Sequence, residues 1–129
     1  MKKQMIHRIK MTILAISFVS IYACAGDLTV TIKEPFSAGG KNYPAGHYRV
    51  LADEESDHVN LRNLDRQTDD AIRFTTRLAP REGQLGEVVF DKTGSGLSLS
   101  EIYIIGMDGF YFQGEPGKHK HLVVKEEEP

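Results

Sequence analysis

Two histidines near the end of this 129-residue chain are the first residues whose type and spacing suggest chemistry. His119 and His121 are separated by one residue, so on a strand both imidazoles would lie on one face and could bind zinc or copper. Positive charge from Lys118, Lys120 and Lys125 surrounds them, and the spacing fixes no third ligand. We therefore expect a solvated polar segment here and assign no metal site.

Carboxylates occur in two further arrangements that could do chemistry. Residues 53–57 could offer oxygen ligands to calcium, but they lack the regular spacing and the glycine of a calcium loop, so we expect a solvated turn. Glu87 and Glu101 lie on strands that we expect to pair, where two carboxylates could act as general acid and base. Outward-facing positions of a half-buried sheet explain both more simply. The sequence has no catalytic motif, which favours a protein that is not an enzyme and needs no cofactor, although it does not settle the question.

Four aromatic residues form the strongest candidate for a binding surface: Tyr103, Phe110, Tyr111 and Phe112. If residues 110–112 form a strand, Phe110 and Phe112 lie on one face and Tyr111 on the other. Exposed aromatic side chains on such a strand would suit a sugar, a peptide or a protein partner. Packing of all four in the core is the other reading, and the usual burial of aromatic residues favours it.

The first 25 residues have the pattern of an export signal. Basic residues precede an apolar run, and the run ends at small residues that place cleavage before Gly26. The run is shorter than the roughly 20 residues of a membrane-spanning helix, so we expect no transmembrane segment in the mature chain. Residues 21–24 also partly match a lipoprotein signal, which would leave a lipid on Cys24. The chain is thus expected in the periplasm or outside the cell, with a lipoprotein anchored at Cys24 as the alternative.

Removal of this signal makes the chain acidic. Four of the 16 Lys and Arg residues and none of the 18 Asp and Glu residues precede Gly26, which leaves 12 basic against 18 acidic residues and a formal charge of −6. This charge argues against nucleic acid as a partner. An envelope protein or a small ligand is the partner class that we expect, and the sequence does not indicate an oligomeric state.

Alternation of apolar and polar residues recurs along the mature chain and predicts strands. Residues 28–33 alternate strictly, and two alternating runs flank the turn at residues 93–96, which predicts a hairpin. Residues 71–78 read as one strand, and residues 122–124 offer a last one. We predict a single all-β domain over residues 26–117, an antiparallel β-sandwich or barrel of about seven or eight strands. A polar, flexible tail is expected at residues 118–129.

The stretch from Phe36 to Val50 organises this fold, because it combines aromatic residues with turns at Gly39-Gly40 and Pro44. Together with Pro35 and residues 86–90 and 97–106, it resembles a family of small exported bacterial β-proteins that is abundant in acidobacteria. The motifs that carry the resemblance are Pro35-Phe36, Gly39-Gly40-Lys41, Pro44-Ala-Gly-x-Tyr-x-Val50 and Leu99-Ser-x-Ile102. The resemblance implies export and a β fold, and it brings no activity and no catalytic residues. The expected function is that of a non-enzymatic binding or structural domain of the cell envelope, with a small hydrolase or a carrier of lipophilic ligands as alternatives.

Overall fold

The computed structural model describes residues 25–114 and 120–128, and this part of the chain is all-β. Alternating apolar residues and glycine-containing turns produce short strands at close intervals. Eleven strands are formed in the described residues: β1 (Ala25–Ile32), β2 (Phe36–Ala38), β3 (Lys41–Tyr43), β4 (Gly46–Asp53), β5 (His58–Asn63), β6 (Thr68–Arg73), β7 (Thr76–Leu78), β8 (Glu87–Thr93), β9 (Gly96–Tyr103), β10 (Gly109–Tyr111) and β11 (Lys120–Lys125).

Four strands form an antiparallel sheet in the order β1-β4-β5-β6. Its inner face consists of the alternate apolar residues, so that Leu28, Val50 and Leu61 lie side by side on neighbouring strands. The polar residues between them face outward, as the strict alternation of β1 predicts.

The other seven strands form a mixed sheet, in which β11-β8-β9-β10-β7 is the main path. Strand β2 pairs with β9 in parallel, and β3 pairs with β2. The β8–β9 hairpin confirms the turn predicted at residues 93–96. One residue of β9, Ser100, has no partner on β8, because the register shifts there from Val89 opposite Glu101 to Phe90 opposite Leu99. This extra residue is a β-bulge.

The core between the sheets is built around the stretch that the sequence singles out. Phe36 stacks on Tyr43 and meets Tyr48 and Phe90 edge-on, each at 5.3 Å between ring centroids. Gly39 and Gly40 join β2 to β3 with φ angles of 58° and 78°, the conformation of a tight hairpin turn that suits glycine. The aromatic residues of this stretch are thus core residues, as expected.

The predicted fold class is confirmed, and four details differ. Residues 71–78 form two strands in different sheets, because the chain crosses between the sheets at Phe74 and Thr75. The β2–β9 pair is parallel although an antiparallel fold was expected. The described residues contain eleven strands, since β2, β3 and β7 are too short for alternation to reveal. Strand β11 pairs with β8, so residues 120–125 of the expected tail belong to the sheet.

Residues 1–24 of the predicted signal, with Cys24, lie outside the described residues, and its last residue, Ala25, is the first residue of β1. In the part of the chain that is described, no helix is long and apolar enough to cross a membrane.

Candidate functional site

A split in the mixed sheet creates a cleft at one edge of β9. One edge of β9 is shared by two strands, since β2 pairs with Leu97 and Ser98 and β10 pairs with Glu101 and Ile102. The bulged residue Ser100 lies between these two pairings and accepts a 2.8 Å hydrogen bond from the Phe112 backbone N–H. Bulges bend a strand and recur beside functional sites. Here the bulge lies at the point along β9 where pairing with β2 ends and pairing with β10 begins.

The resulting cleft has a volume of about 430 Å³, within the usual range for small-molecule sites. Four segments that are distant in sequence line it. Its lining residues are Ser37, Ala38, Gly39, Gly40, Arg73, Thr75, Ser98, Leu99, Phe112, Gln113 and Gly114.

The lining combines a buried apolar part with polar groups. Leu99 and Phe112 are almost fully buried and contribute the apolar part. The Ser37 and Ser98 hydroxyl groups lie 3.2 Å apart where β2 meets β9. A pocket with an apolar base and a few polar groups is typical of a binding site for a small molecule.

Three polar side chains of the cleft have hydrogen-bonding capacity left. Thr75 is held in place by its backbone N–H, which donates to the Tyr111 carbonyl oxygen at 2.7 Å. Among the described residues its hydroxyl has no hydrogen-bond partner, and neither has the Gln113 amide. Arg73 makes one ion pair, from Nη2 to Asp57 Oδ2 at 3.1 Å, and its side chain is 81% exposed. Most of its five N–H donors therefore remain available to a ligand.

A buried carboxylate lies next to one end of this cleft. Asp91 is 2% exposed, and its Oδ1 lies 3.1 Å from His121 Nδ1. The strand registers place His121, Asp91, Ser98 and Ser37 in one row across the outer face of the sheet. Any Cβ at Gly114 would lie 3.5 Å from Asp91 Oδ2 and 2.9 Å from the Tyr111 hydroxyl. Glycine at position 114 therefore lets the chain pass close over this carboxylate.

The histidines do not form a metal site in the described residues. His121 pairs with Asp91, while His47 and His58 pair with Asp65 and Asp57 on the other sheet. His119 lies outside the described residues. No group of three His, Cys, Asp or Glu side chains suited to a metal ion occurs in residues 25–114 and 120–128.

The aromatic set proposed from sequence is largely core. Tyr103, Phe110 and Phe112 are buried, and Phe110 lies 4.9 Å from the Phe74 ring. Tyr111 is half-buried, and its hydroxyl accepts a hydrogen bond from the Gly114 N–H at 3.3 Å. The burial of three of the four side chains corrects the hypothesis of an exposed aromatic surface. Only Phe112 lines the cleft, where it contributes apolar surface.

Glu87 and Glu101 lie on paired strands, as expected, but each carboxylate has its own partner. Glu87 Oε2 pairs with Arg81 Nη1 at 2.5 Å, and Glu101 Oε1 accepts a 2.7 Å hydrogen bond from the Tyr103 hydroxyl. The Arg81 guanidinium lies 4.0 Å from the centre of the Tyr103 ring. Burial raises the pKa of Tyr103, and the bond to Glu101 raises it further. These contacts attach the loop before β8 to the sheet and do not form an acid–base pair.

The acidic stretch 53–57 is a self-capped turn. Asp53 Oδ1 accepts hydrogen bonds from the backbone N–H groups of Glu55 and Ser56 at 2.9 and 2.7 Å. The Ser56 hydroxyl donates to Asp53 Oδ2 at 2.9 Å, and this bond contributes most to lowering the pKa of Asp53. The stretch is thus the solvated turn expected from sequence.

A larger depression of about 620 Å³ lies beside the loop before β8. Its lining comprises the loop residues 82–85 together with Glu87, Lys125 and Glu128, and none of them is buried. An open site without a buried base excludes water poorly. The cleft beside the bulge is therefore the better candidate.

Sequence reasoning did not find the polar residues of this cleft. Ser37 and Ser98 were not singled out, and Arg73 and Thr75 belong to residues 71–78, which were predicted to form one strand. Gln113 directly follows the aromatic residues 110–112, and no motif in the sequence marks it as a binding residue. The cleft becomes visible only once β2 and β10 are placed on the same edge of β9.

No protein-family model, no curated protein and no solved structure matches the chain. The lining residues themselves therefore provide the basis for inferring a function.

Proposed function

We propose that this protein is an exported, non-enzymatic domain of the bacterial cell envelope that binds a ligand in the cleft beside Ser100. The signal-like pattern of residues 1–25 supports export to the periplasm or the cell exterior. Lipid attachment at Cys24 is the alternative form of the mature protein.

The composition of the cleft lining is the observation that carries this proposal. Its polar side chains are hydroxyl, amide and guanidinium groups, and none of them is a carboxylate or an imidazole. A general acid or base works best with a pKa near the operating pH. The lining is therefore suited to holding a ligand through hydrogen bonds and apolar contact.

A small hydrolase is the second candidate, favoured by the buried Asp91 beside His121. In a serine hydrolase the imidazole lies between the serine and the carboxylate. Here Asp91 lies between His121 and Ser98 in the row across the sheet, so the imidazole is on the wrong side of the carboxylate to activate that serine. This order favours binding over hydrolysis.

A carrier of lipophilic ligands would require an apolar cavity between the sheets. The fully buried side chains of Tyr48, Phe90 and Phe110 occupy this region. The packed interior supports a surface cleft as the binding site.

The test recovers the protein from the envelope of cells that export it and identifies bound small molecules by mass spectrometry. Thr75→Trp should fill the cleft, and Thr76→Trp is its matched control because Thr76 is also exposed but is not part of the lining. We expect a ligand with the wild type and with Thr76→Trp, and its loss with Thr75→Trp. Equal recovery with both variants would refute the cleft as the binding site. The intact mass from the same preparation distinguishes a chain that begins at Gly26 from one that is lipidated at Cys24.

A further inference from the structure

We propose that the ligand of this cleft is a small organic carboxylate, which binds through the guanidinium of Arg73. The inference rests on the proposed function, because it takes the cleft beside Ser100 as the binding site. It adds the chemical class of the ligand.

Arg73 is the one charged residue among the described residues that line the cleft. A guanidinium presents its donors in a planar fork that matches a carboxylate, and such charge-assisted pairs are stronger than neutral hydrogen bonds. Its ion pair with Asp57 is exposed on both sides and uses Nη2. Exposed pairs of this kind contribute little stability, so a ligand carboxylate can share or replace Asp57 as the partner.

The neighbouring groups fit the rest of such a ligand. The Thr75 hydroxyl and the Gln113 amide, which no other described residue engages, can donate to a second oxygen of the ligand. Leu99 and Phe112 offer apolar surface for a short hydrocarbon chain. The arrangement therefore favours a molecule with a carboxylate at one end, a short hydrocarbon segment and a second oxygen-bearing group.

The charge of the whole chain limits the size of the anion. A formal charge of −6 over residues 26–129 repels a polyanion. For a small anion that contacts Arg73 directly, the binding energy depends mainly on that contact, because exposed charges more than about 10 Å away are screened at moderate salt. This excludes nucleic acid and favours a ligand that carries only one or two negative charges.

The experiment is a titration of the isotope-labelled, exported protein followed by the amide resonances of Gly39, Gly40 and Gly114. Succinate is the probe, its neutral analogue succinamide tests the role of charge, and inorganic phosphate tests whether any oxyanion suffices. We expect saturable shifts with succinate and binding that is about tenfold weaker or more with succinamide, because the charge-assisted pair with Arg73 is lost. Phosphate can still pair with the guanidinium, but it should also bind about tenfold more weakly, because it has no hydrocarbon part to contact Leu99 and Phe112. Absence of saturable succinate binding, or equal binding of succinamide, would overturn the proposal. Equal binding of phosphate would replace the carboxylate assignment with a general oxyanion site.

Variants of Arg73 then test the residue itself. Arg73→Gln should weaken succinate binding about tenfold, and Arg73→Lys should retain part of it. Arg62→Gln is the matched control, because Arg62 is another exposed arginine in an ion pair but lies on β5, outside the cleft. An unchanged urea midpoint verifies that each variant is folded. Equal effects of Arg73→Gln and Arg62→Gln would refute the assignment.

The two proposals can fail separately. If Thr75→Trp abolishes recovery of the envelope ligand while succinate does not bind, the cleft is a binding site and only the carboxylate class is wrong. If Thr75→Trp has no effect on the envelope ligand, both proposals are wrong.

Discussion

Arg77 Nη2 donates a hydrogen bond of 2.7 Å to the backbone carbonyl oxygen of Glu54 and thereby connects the two sheets. The same nitrogen lies 3.0 Å from the carbonyl oxygen of Ser56, so it engages two carbonyl groups of the acidic turn. The guanidinium also lies 5.1 Å from the Phe74 ring and 5.5 Å from the Phe110 ring. Arg77 thus joins β7 of the mixed sheet to the turn between β4 and β5.

We expect Arg77→Ala to lower the free energy of unfolding by about 2 kcal/mol, since hydrogen bonds from charged groups contribute about 1.5–3 kcal/mol and the side chain is only half-buried. Arg77→Lys should lose less stability, because the lysine ammonium keeps the positive charge. Some loss should remain, because the ammonium lacks the planar fork of donors. Urea denaturation of the purified protein measures both. Arg62→Ala, which removes an exposed ion pair to Asp69, should cost no more than about 1 kcal/mol. Equal losses for Arg77→Ala and Arg62→Ala would contradict the connecting role of Arg77.

A close backbone contact at Gly86 leads to a second prediction. A Cβ at this position would lie 2.6 Å from the backbone carbonyl oxygen of Tyr103, which cannot move without shifting β9. We expect Gly86→Ala to destabilise the protein by about 1–3 kcal/mol. Gly94→Ala is the control, because no atom lies within 4 Å of a Cβ there. A Gly86→Ala variant as stable as Gly94→Ala would show that the loop before β8 adjusts freely.

Stability should fall in acid, because the folded protein lowers the pKa of Asp53. The Ser56 hydroxyl and backbone N–H bonds hold the ionised form, so Asp53 stabilises the fold above its unfolded pKa of about 3.9 and loses this contribution as the pH falls through the lower folded pKa. Asp53→Asn should keep the turn and reduce the loss between pH 6 and pH 3, measured by the urea midpoint at each pH. Asp108→Asn, at an exposed position outside this turn, is the control. An Asp53→Asn variant with the same acid sensitivity as the wild type would contradict this assignment.

Alkaline pH should destabilise the protein through Tyr103. Burial raises its pKa above the ordinary value of 10.0, so the neutral phenol stabilises the fold below that value and the contribution is lost as the pH rises through the folded pKa. Tyr103→Phe should therefore lose less stability than the wild type between pH 9 and pH 11, measured by urea denaturation. Ultraviolet titration of the wild type should show tyrosine ionisation above the ordinary pH range. Tyr43 and Tyr48 also contribute to this signal, because burial raises their pKa. Parallel pH curves for the wild type and Tyr103→Phe would assign the alkaline loss to other groups.

The parts of the fold that were predictable are those determined by local patterns. Strict alternation predicted β1, and the glycine-containing turn at residues 93–96 predicted the β8–β9 hairpin. The crossing at Phe74 was not predictable, because apolar residues at positions 72 and 74 keep the same alternation whether or not the chain changes sheets. The parallel contact between β2 and β9 joins segments about 60 residues apart, and no local signal encodes such a pairing.

The candidate site was less predictable than the fold for the same reason. Arg73 and Gln113 are ordinary exposed polar residues in the sequence, and only the split of the sheet brings them to one cleft. The buried Asp91 was also hidden, because the alternation of β8 assigns it to an outward position. The backbone at Gly114 passes close to the carboxylate on that face, a contact that the sequence pattern does not reveal.

The parallel pairing of β2 with β9 also determines when this chain can fold. Ser37 and Ser98 are 61 residues apart, and the side chains of Thr31 and Glu127 are joined across 96 residues. Contacts between such distant segments require large loops to close first, which places folding in the range of roughly milliseconds to seconds. A nascent chain that ends before β9 lacks the strand that holds β2, β8 and β10 together. Residues through β9 must therefore be synthesised before the native core can form, so the segments before it cannot complete their packing while the chain is still growing towards that strand.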